Sequence, residues 1–201
     1  MAQNKTPTKQ EARSDHSRQR LLEAAIHIIQ SGDMTQFNVR SICKKAGLST
    51  GAFYHLFNCK EDVVNYYLKY TFQQYKQNID PDNKDKTPTE RIVTLYRYMV
   101  ECYTKAGPAF LSFFYVPTNP ILDFRHRPND EHMILEEVDD YITKGQEEGS
   151  MRPDIDHDLA LLNIGAIVTG IMFYWCVFDG DVPADDLVSE RLSDYLKTLE
   201  A

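Results

Sequence analysis

The sequence lacks the residue patterns that mark catalytic, metal-binding or disulfide-bonded proteins. Its four cysteines lie far apart and form no C-x-x-C pair, which favours reduced thiols over a zinc site or a disulfide framework. The nine glycines build no phosphate-binding loop. No nucleophile–base pair or tight spacing of metal ligands is visible either. We therefore expect a protein that is not an enzyme and that holds no metal and no cofactor.

An apolar leader is also missing. Residues 1–20 are polar, so we expect no secretory signal and a cytoplasmic location. One uncharged run, from Leu159 to Phe178, is long enough to span a bilayer. Acidic residues flank both of its ends and no Lys or Arg lies close to either, unlike the basic cytoplasmic flank of a spanning helix. We interpret the run as a helix buried by its own domain and a partner, with no membrane involved.

Basic residues are a minority overall but not in the N-terminal part. The net charge is −8 and the sequence pI is about 5.2. Residues 1–75 nevertheless hold ten Lys and Arg against six Asp and Glu, a balance of +4, whereas residues 76–201 hold 12 against 24, a balance of −12. The N-terminal part is therefore compatible with a polyanionic partner, and the acidic remainder is not.

Hydrophobic spacing predicts an all-α protein, with no alternating strand pattern and no internal repeat. Asn38 and Ser49 are predicted caps of two short helices separated by Gly47. Their spacing matches a helix-turn-helix, and Asn58 with Glu61 predicts a capping box for a fourth helix. The sequence TPTE at residues 87–90 predicts a strong helix start in the C-terminal part.

The segment NVRSICKKAGLSTGAFYHLFNCKEDVV, residues 38–64, resembles the DNA-binding signature of the TetR (tetracycline-repressor-type) regulators. The shared features are a polar cap before helix two, the AGLS turn, Tyr54 in the recognition helix, Phe57 at its end, and KED before helix four. The resemblance covers residues 17–65, and the rest matches only in its helical layout. It implies a dimeric regulator, in most members a repressor, that a small-molecule effector of unknown identity releases from double-stranded operator DNA.

The resemblance and the polar run at residues 80–87 define the expected domains. We expect a flexible N-terminal arm at residues 1–16 and a three-helix helix-turn-helix DNA-binding domain with connecting helix four at residues 17–79. A larger helical domain for effector binding and dimerisation is expected at residues 80–201. The arm region carries Lys5, Lys9 and Arg13, with Arg18 and Arg20 just beyond it, and all five suit contacts to the DNA backbone or the minor groove.

The third helix supplies most of the expected DNA contacts. Phe53, Leu56 and Phe57 are expected to pack inward, which leaves small and polar side chains for the major groove. A Lys before helix four and a Tyr in helix three suit phosphates, and an Arg on helix two matches a family position that reaches a base or a phosphate. The expected DNA-binding residues are Arg40, Ser49, Thr50, Gly51, Ala52, Tyr54, His55 and Lys60.

The C-terminal domain is rich in aromatic residues, and core packing explains most of them. A subset is expected to line an apolar effector pocket between helices. The candidates are Tyr96, Met99, Tyr103, Phe110, Phe114, Asn163, Met172 and Trp175. Small residues from Gly165 to Gly170 permit close helix approach, so we expect a homodimer through the last two helices, as the resemblance also implies.

Two other functions fit the same residues. The chain could be a constitutive DNA-binding protein without an effector, or a small-molecule-binding enzyme that uses the helix-turn-helix only as a scaffold. The absence of a catalytic constellation in the sequence disfavours the enzyme. A gel shift on DNA flanking the gene, with and without candidate ligands, separates all three hypotheses.

Overall fold

The structure is a computed structural model that describes residues 8–116 and 133–201. Over these residues it contains helices and no strand, apart from one antiparallel bridge between Met151 and Glu200, which confirms the all-α prediction. The α-helices are α1 Lys9–Gln30, α2 Val39–Ala46, α3 Thr50–Leu56, α4 Asp62–Asn78, α5 Pro88–Ala106, α6 Pro108–Leu111, α7 Met133–Glu147, α8 His157–Val177 and α9 Ala184–Lys197. Two short 3-10 helices, Met34–Gln36 and Asp80–Asn83, join some of them.

The chain divides into two compact units, Met1–Tyr67 and Leu68–Ala201. These limits differ from the expected ones in two places. Residues 9–16, expected in a flexible arm, belong to α1. The division falls inside α4 rather than at residue 80, because the polar run after α4 folds into the second unit, where the buried Asn83 amide donates to the Ile79 carbonyl at 2.8 Å.

The N-terminal unit is a small bundle in which α1 packs on both α2 and α3. Helices as short as α2 and α3 do not stand alone, so they share one apolar core with α1. The side chains buried in that core include Leu21, Leu22, Ile29, Phe37, Ile42, Phe53, Phe57, Val63 and Val64. Arg20 reaches across from α1 and donates to the carbonyl of Ala46, which satisfies an orphan acceptor at the end of α2.

The C-terminal unit is built around α5, which packs on α7 and α9, while α8 packs on α9. The predicted start of α5 is confirmed, since Thr87 and Glu90 form a reciprocal capping box with Pro88 in the first turn. Its buried side chains include Ile92, Leu95, Met99, Val138, Ile142, Ile164, Met172, Val188, Leu192 and Leu196.

A charged cluster ties the last turn of α4 to α5 and α7 within the C-terminal unit. Asp80 accepts hydrogen bonds from Lys76 at 2.9 Å, from Arg91 at 2.8 Å and from the Tyr141 hydroxyl at 2.9 Å. Lys76 also donates to Glu137 at 2.7 Å. Burial opposes ionisation of Asp80, but these donors outweigh it and lower its pKa to about 2. The cluster therefore fixes the end of α4 against the helices of this unit.

Candidate nucleic-acid interface

The turn before α3 is fixed by backbone and side-chain caps. Gly47 adopts a left-handed conformation with φ of 63°, which a residue with a Cβ takes up only at a cost. The Ser49 hydroxyl accepts a hydrogen bond from the Ala52 amide at 3.1 Å, and Asn38 caps α2 through the Ser41 amide at 3.0 Å. Both predicted caps are confirmed. They set the direction in which α3 leaves the turn.

One face of α3 is buried in the core, and the opposite face is exposed to solvent. Phe53 and Phe57 are buried with 0% and 6% of their surfaces exposed, and they anchor the helix. Tyr54 is 59% exposed, and its ring meets that of Phe53 edge-on at 5.5 Å, which holds the phenol outward. Ser49, Thr50, Gly51 and His55 are exposed, while Ala52 and Leu56 are half-buried.

This outer face suits close approach to another polymer. Its glycine and alanine let a backbone come near, and its hydroxyl, phenol and imidazole groups can donate hydrogen bonds to base edges or phosphates. Arg40 is exposed on α2, and Lys44 and Lys45 are exposed in its last turn. The exposed charges around α3 are thus mainly positive, although the whole chain is acidic.

Lys60, the candidate DNA contact before α4, also has partners inside the unit. Its ammonium donates to the Phe37 carbonyl at 3.1 Å, stands 4.9 Å from the centre of the Phe37 ring, and lies 3.8 Å from the Glu61 carboxylate. The loop that carries it is closed by Asp62, whose carboxylate accepts from the Asn58 amide at 2.9 Å. The predicted Asn58–Glu61 capping box does not form, and α4 begins at Asp62.

The expected effector residues lie in the C-terminal unit and are almost all buried. Between 0% and 9% of each surface is exposed in Tyr96, Met99, Tyr103, Phe110, Phe114, Met172 and Trp175. Asn163 is half-buried, and its amide nitrogen donates to the Tyr195 hydroxyl at 3.1 Å. Asn163 is therefore already held by α9, whereas the other seven belong to the apolar core.

Sequence reasoning missed two polar residues of this region, Tyr115 and Cys176. Burial raises the pKa of Tyr115, and the nearby Cys176 and Tyr96 add to the effect. Burial likewise raises the pKa of Cys176 to about 11 and raises the pKa of Tyr96. The sequence carries no signal that would distinguish these residues from other core residues, because any buried tyrosine or cysteine of a helical core has the same spacing.

The outer face of α8 is apolar, and no other described part of the chain covers it. Leu159 and Leu162 are 53% and 40% exposed, and Phe173 and Val177 are 44% and 56% exposed. These positions recur at helical spacing and form one stripe. A Cβ built on Gly165 or Gly170 meets no atom within 4 Å, so both glycines border open space. By length and composition α8 is apolar enough to cross a membrane, a test that soluble core helices also pass.

Comparisons with known proteins agree with this arrangement. The sequence model of the family described as "Bacterial regulatory proteins, tetR family" matches residues 21–67. The HTH-type transcriptional repressor KstR2 of Mycolicibacterium smegmatis is 26% identical over 196 residues, which cover 94% of this chain and 91% of that protein.

Solved structures share the fold across both units. Thermus thermophilus FadR, a TetR-family repressor in complex with lauroyl-CoA, is 15% identical with a TM-score of 0.65 and covers 89% of this chain and 93% of its own. Bacillus subtilis FadR in complex with stearoyl-CoA is 21% identical with a TM-score of 0.60 and covers 89% of this chain and 96% of its own.

Proposed function

We propose that this chain, which belongs to the TetR family of bacterial regulatory proteins, is a cytoplasmic, dimeric repressor that binds operator DNA and is released by a small molecule. The observation that carries the proposal is the construction of α3. Phe53 and Phe57 anchor one face in the core, and the opposite face presents Thr50, Gly51 and Tyr54 to solvent. A short helix with small outward residues, set after a capped tight turn, fits the major groove of B-DNA.

We assign the DNA contacts by side-chain chemistry. Thr50, Gly51 and Ala52 would approach base edges, with the Ala52 methyl suited to a thymine methyl. Tyr54 and His55 would donate hydrogen bonds to phosphates or bases, and Arg40 would contribute from α2. Ser49 would act mainly by capping α3, since its hydroxyl already accepts from the Ala52 amide. Lys60, whose ammonium already donates to the Phe37 carbonyl, would add a phosphate contact through its charge.

We propose that two copies join through α8 and α9. The exposed apolar stripe on α8 is what an isologous interface requires, and the open space beside Gly165 and Gly170 admits a helix from a second copy. Burying this stripe would remove the largest apolar helix face that the described residues leave in water. A dimer would also present two helix-turn-helix motifs to an operator with two-fold symmetry.

We propose that the effector places an apolar part among the buried aromatic residues of the C-terminal unit. The hydroxyls of Tyr96 and Tyr115 would anchor it by donating hydrogen bonds to the ligand. The two FadR relatives are solved with acyl-CoA molecules, so acyl-CoA thioesters are the first compounds to test. The acidic composition of this unit favours a neutral or cationic head group, so a panel should include such amphiphiles.

The decisive experiment measures binding to DNA fragments that flank the gene, by fluorescence anisotropy, with and without the panel. We expect tight binding that Tyr54→Ala weakens and that Lys105→Ala, an exposed substitution in the C-terminal unit, leaves unchanged. At least one compound should weaken binding. Binding that no stabilising compound alters would favour the constitutive DNA-binding alternative, and the absence of any duplex binding would refute the proposal.

A further inference from the structure

Two buried atoms in the charged cluster at the end of α4 have no hydrogen-bond partner among the described residues. One is the hydroxyl oxygen of Tyr75, whose side chain is completely buried, and the other is the buried Nε of Arg91. Buried polar atoms of native proteins are nearly always paired, because an unpaired one has lost its hydration without a replacement. A bound group that pairs with both atoms would remove this cost.

The neighbours of these two atoms hold them in place without pairing with them. Arg91 donates through a terminal nitrogen to Asp80 at 2.8 Å, and its guanidinium lies 4.3 Å from the centre of the Tyr141 ring. The Tyr141 hydroxyl donates to Asp80 at 2.9 Å. Burial raises the pKa of Tyr75 and the nearby Tyr141 hydroxyl opposes this rise, but the two hydroxyls are not in hydrogen-bond geometry. The Tyr75 O–H and the Arg91 Nε–H therefore remain as two donors in one cluster.

The charges of the cluster determine which kind of group fits between these donors. Lys76 and Arg91 are balanced by Asp80 and Glu137, and each cation lies within 2.9 Å of a carboxylate oxygen. The Arg91 and Asp80 side chains are only 12% and 13% exposed, so a bound anion would add an uncompensated charge with little access to water. A guanidinium N–H only donates, and a phenol O–H donates as well. The group that fits is therefore a neutral hydrogen-bond acceptor.

We propose that Tyr75 and Arg91 bind one neutral oxygen atom, which accepts hydrogen bonds from the Tyr75 hydroxyl and from the Arg91 Nε–H. Two sources can supply such an oxygen: a buried water molecule, or a carbonyl or hydroxyl group of the effector. A buried water needs several polar partners, and the Tyr141 hydroxyl and the carboxylates of the cluster are further candidates for its own protons. The effector as a source rests on the proposed function, whereas water as a source does not.

The site lies at the contact between α4 and the helices of the C-terminal unit. Tyr75 belongs to α4 and Arg91 to α5, and Asp80 already joins the end of α4 to Arg91 and to Tyr141 of α7. An oxygen held between Tyr75 and Arg91 adds a second hydrogen-bonded link across the same contact. The link is the same whether water or the effector carries the oxygen.

The first arm of the test asks whether water supplies the oxygen. If nothing accepts from Tyr75, its hydroxyl adds only a desolvation cost, and Tyr75→Phe should leave the protein as stable as wild type or more stable. A bound water reverses the sign, so we expect Tyr75→Phe to raise the unfolding equilibrium constant in urea about fivefold. Tyr141→Phe, which removes a hydroxyl with a known partner, sets the scale.

Tyr98→Phe is the matched control for Tyr75→Phe. The Tyr98 ring lies 5.7 Å from the Tyr75 ring, but its hydroxyl lies beside the Cys102 thiol rather than in the cluster. A crystal structure of the wild-type protein should show a water within hydrogen-bond distance of the Tyr75 hydroxyl and the Arg91 Nε. The Tyr98→Phe protein should retain this water, and the Tyr75→Phe protein should lack it.

The second arm asks whether a ligand supplies the oxygen, by calorimetric titration with lauroyl-CoA and stearoyl-CoA, the compounds bound in the two FadR structures. If their thioester carbonyl occupies the site, Tyr75→Phe should weaken binding about fivefold. Arg91→Lys, which keeps a cation opposite Asp80 but lacks the Nε–H group, should weaken binding by a similar factor. Tyr98→Phe should leave the affinity unchanged.

A positive result in either arm supports the proposal, and the two arms together decide it. A Tyr75→Phe protein that is at least as stable as wild type, and whose titrations match those of wild type, would overturn it. A crystal structure in which the Arg91 Nε donates directly to the Tyr75 hydroxyl would also overturn it. If neither compound binds the wild-type protein, the water arm decides alone. A wild-type protein that binds no duplex would instead refute the proposed function and leave the water arm unaffected.

Discussion

The ammonium of Lys60 donates to the carbonyl oxygen of Phe37, 3.1 Å away, and stands 4.9 Å from the centre of the same residue's ring. Lys60 therefore joins the loop before α4 to the segment before α2. We expect Lys60→Ala to lower the free energy of unfolding by about 1 kcal/mol, since a hydrogen bond from a charged donor and a cation–π contact are lost.

The same substitution tests whether Lys60 also reaches DNA. If Lys60 contacts a phosphate, Lys60→Ala should make the plot of log operator affinity against log salt concentration less steep, by about 0.9 for each helix-turn-helix bound. Lys60→Met is the matched variant, because it keeps an aliphatic side chain over Phe37 and removes the ammonium with its charge and its hydrogen bond. Urea unfolding and anisotropy together separate the two roles. Lower stability with an unchanged slope would show that Lys60 only supports the loop.

Gly47 and Gly51 give opposite predictions for the same change to alanine. At Gly47 the backbone is left-handed, and an added Cβ would lie 2.8 Å from the Arg20 guanidinium. We expect Gly47→Ala to cost about 2 kcal/mol, from backbone strain and the displaced hydrogen bond to Ala46. At Gly51 the nearest atom is the Ser49 hydroxyl oxygen at 3.8 Å, which is an ordinary contact.

Gly51→Ala should therefore leave stability equal or up to about 1 kcal/mol higher, as helix propensity predicts. It should nevertheless weaken operator binding, because the new methyl projects from the face assigned to DNA. Thermal unfolding and anisotropy of the two variants form the comparison. A Gly51→Ala protein with undiminished operator affinity would place the base contacts elsewhere on the unit.

Local signals predicted the caps of this fold, and distant partners escaped prediction. Asn38, Ser49 and Thr87 each accept from an amide three residues ahead, so the sequence alone contains both members of the interaction. The partner of Lys60 is 23 residues away, and Tyr141 lies 61 residues from Asp80. Such pairs depend on how helices pack, which periodicity does not specify.

The same limit explains the candidate sites. Helical spacing separated the buried Phe53 and Phe57 from the exposed Tyr54, because one helix face faces the core. It did not show that Arg20, one of the cations expected at the DNA backbone, also donates to the Ala46 carbonyl, since that role depends on the acceptors around α1. Nor did it find Tyr115 and Cys176 beside Tyr96, because the three come from different segments.

The charged cluster around Asp80 predicts acid sensitivity. A carboxyl group whose pKa is lower in the folded than in the unfolded state binds fewer protons when folded, so it stabilises the fold above its unfolded pKa. For Asp80, a fall from 3.8 to about 2 corresponds to about 2 kcal/mol, fully present above about pH 4 and lost as pH falls through about 2.

Urea unfolding of wild type and Asp80→Asn between pH 2 and 6 measures this effect. The difference in free energy should be largest near pH 6 and shrink on acidification. Asp85→Asn, at an exposed position in the same polar run, is the control and should show little difference at any pH. A difference for Asp80→Asn that stays constant with pH would exclude ionisation of Asp80 as its origin.

Gly170→Leu tests the proposed dimer face without disturbing the protomer. An added Cβ at Gly170 meets no atom within 4 Å, so the larger side chain is free to extend into space that the protomer leaves open. We expect a folded monomer by light scattering, with weaker operator binding because an operator with two half-sites is bound by the helix-turn-helix of each of two joined protomers.

Gly145→Leu is the contrasting variant, since its Cβ would lie 2.7 Å from Met151 and should disrupt the fold. A Gly170→Leu protein that remains dimeric at low concentration would move the interface away from this part of α8.

Tyr96→Phe tests whether the buried hydroxyl serves an effector. Tyr96 is buried in the apolar core, so removal of its hydroxyl alone should change the free energy of unfolding of the free protein by no more than about 1 kcal/mol. A bound effector that accepts from it should then bind about fivefold more weakly, which corresponds to about 1 kcal/mol. Tyr54→Phe, at an exposed site in the N-terminal unit, should leave effector affinity unchanged.

Calorimetric titration with the compound that weakens operator binding provides the measurement. Because a ligand shifts an equilibrium only by its difference in affinity for the two states, the weaker effector should also release DNA at proportionally higher concentration. An unaltered dissociation constant would identify Tyr96 as a core residue and direct the search for the anchor to Tyr115.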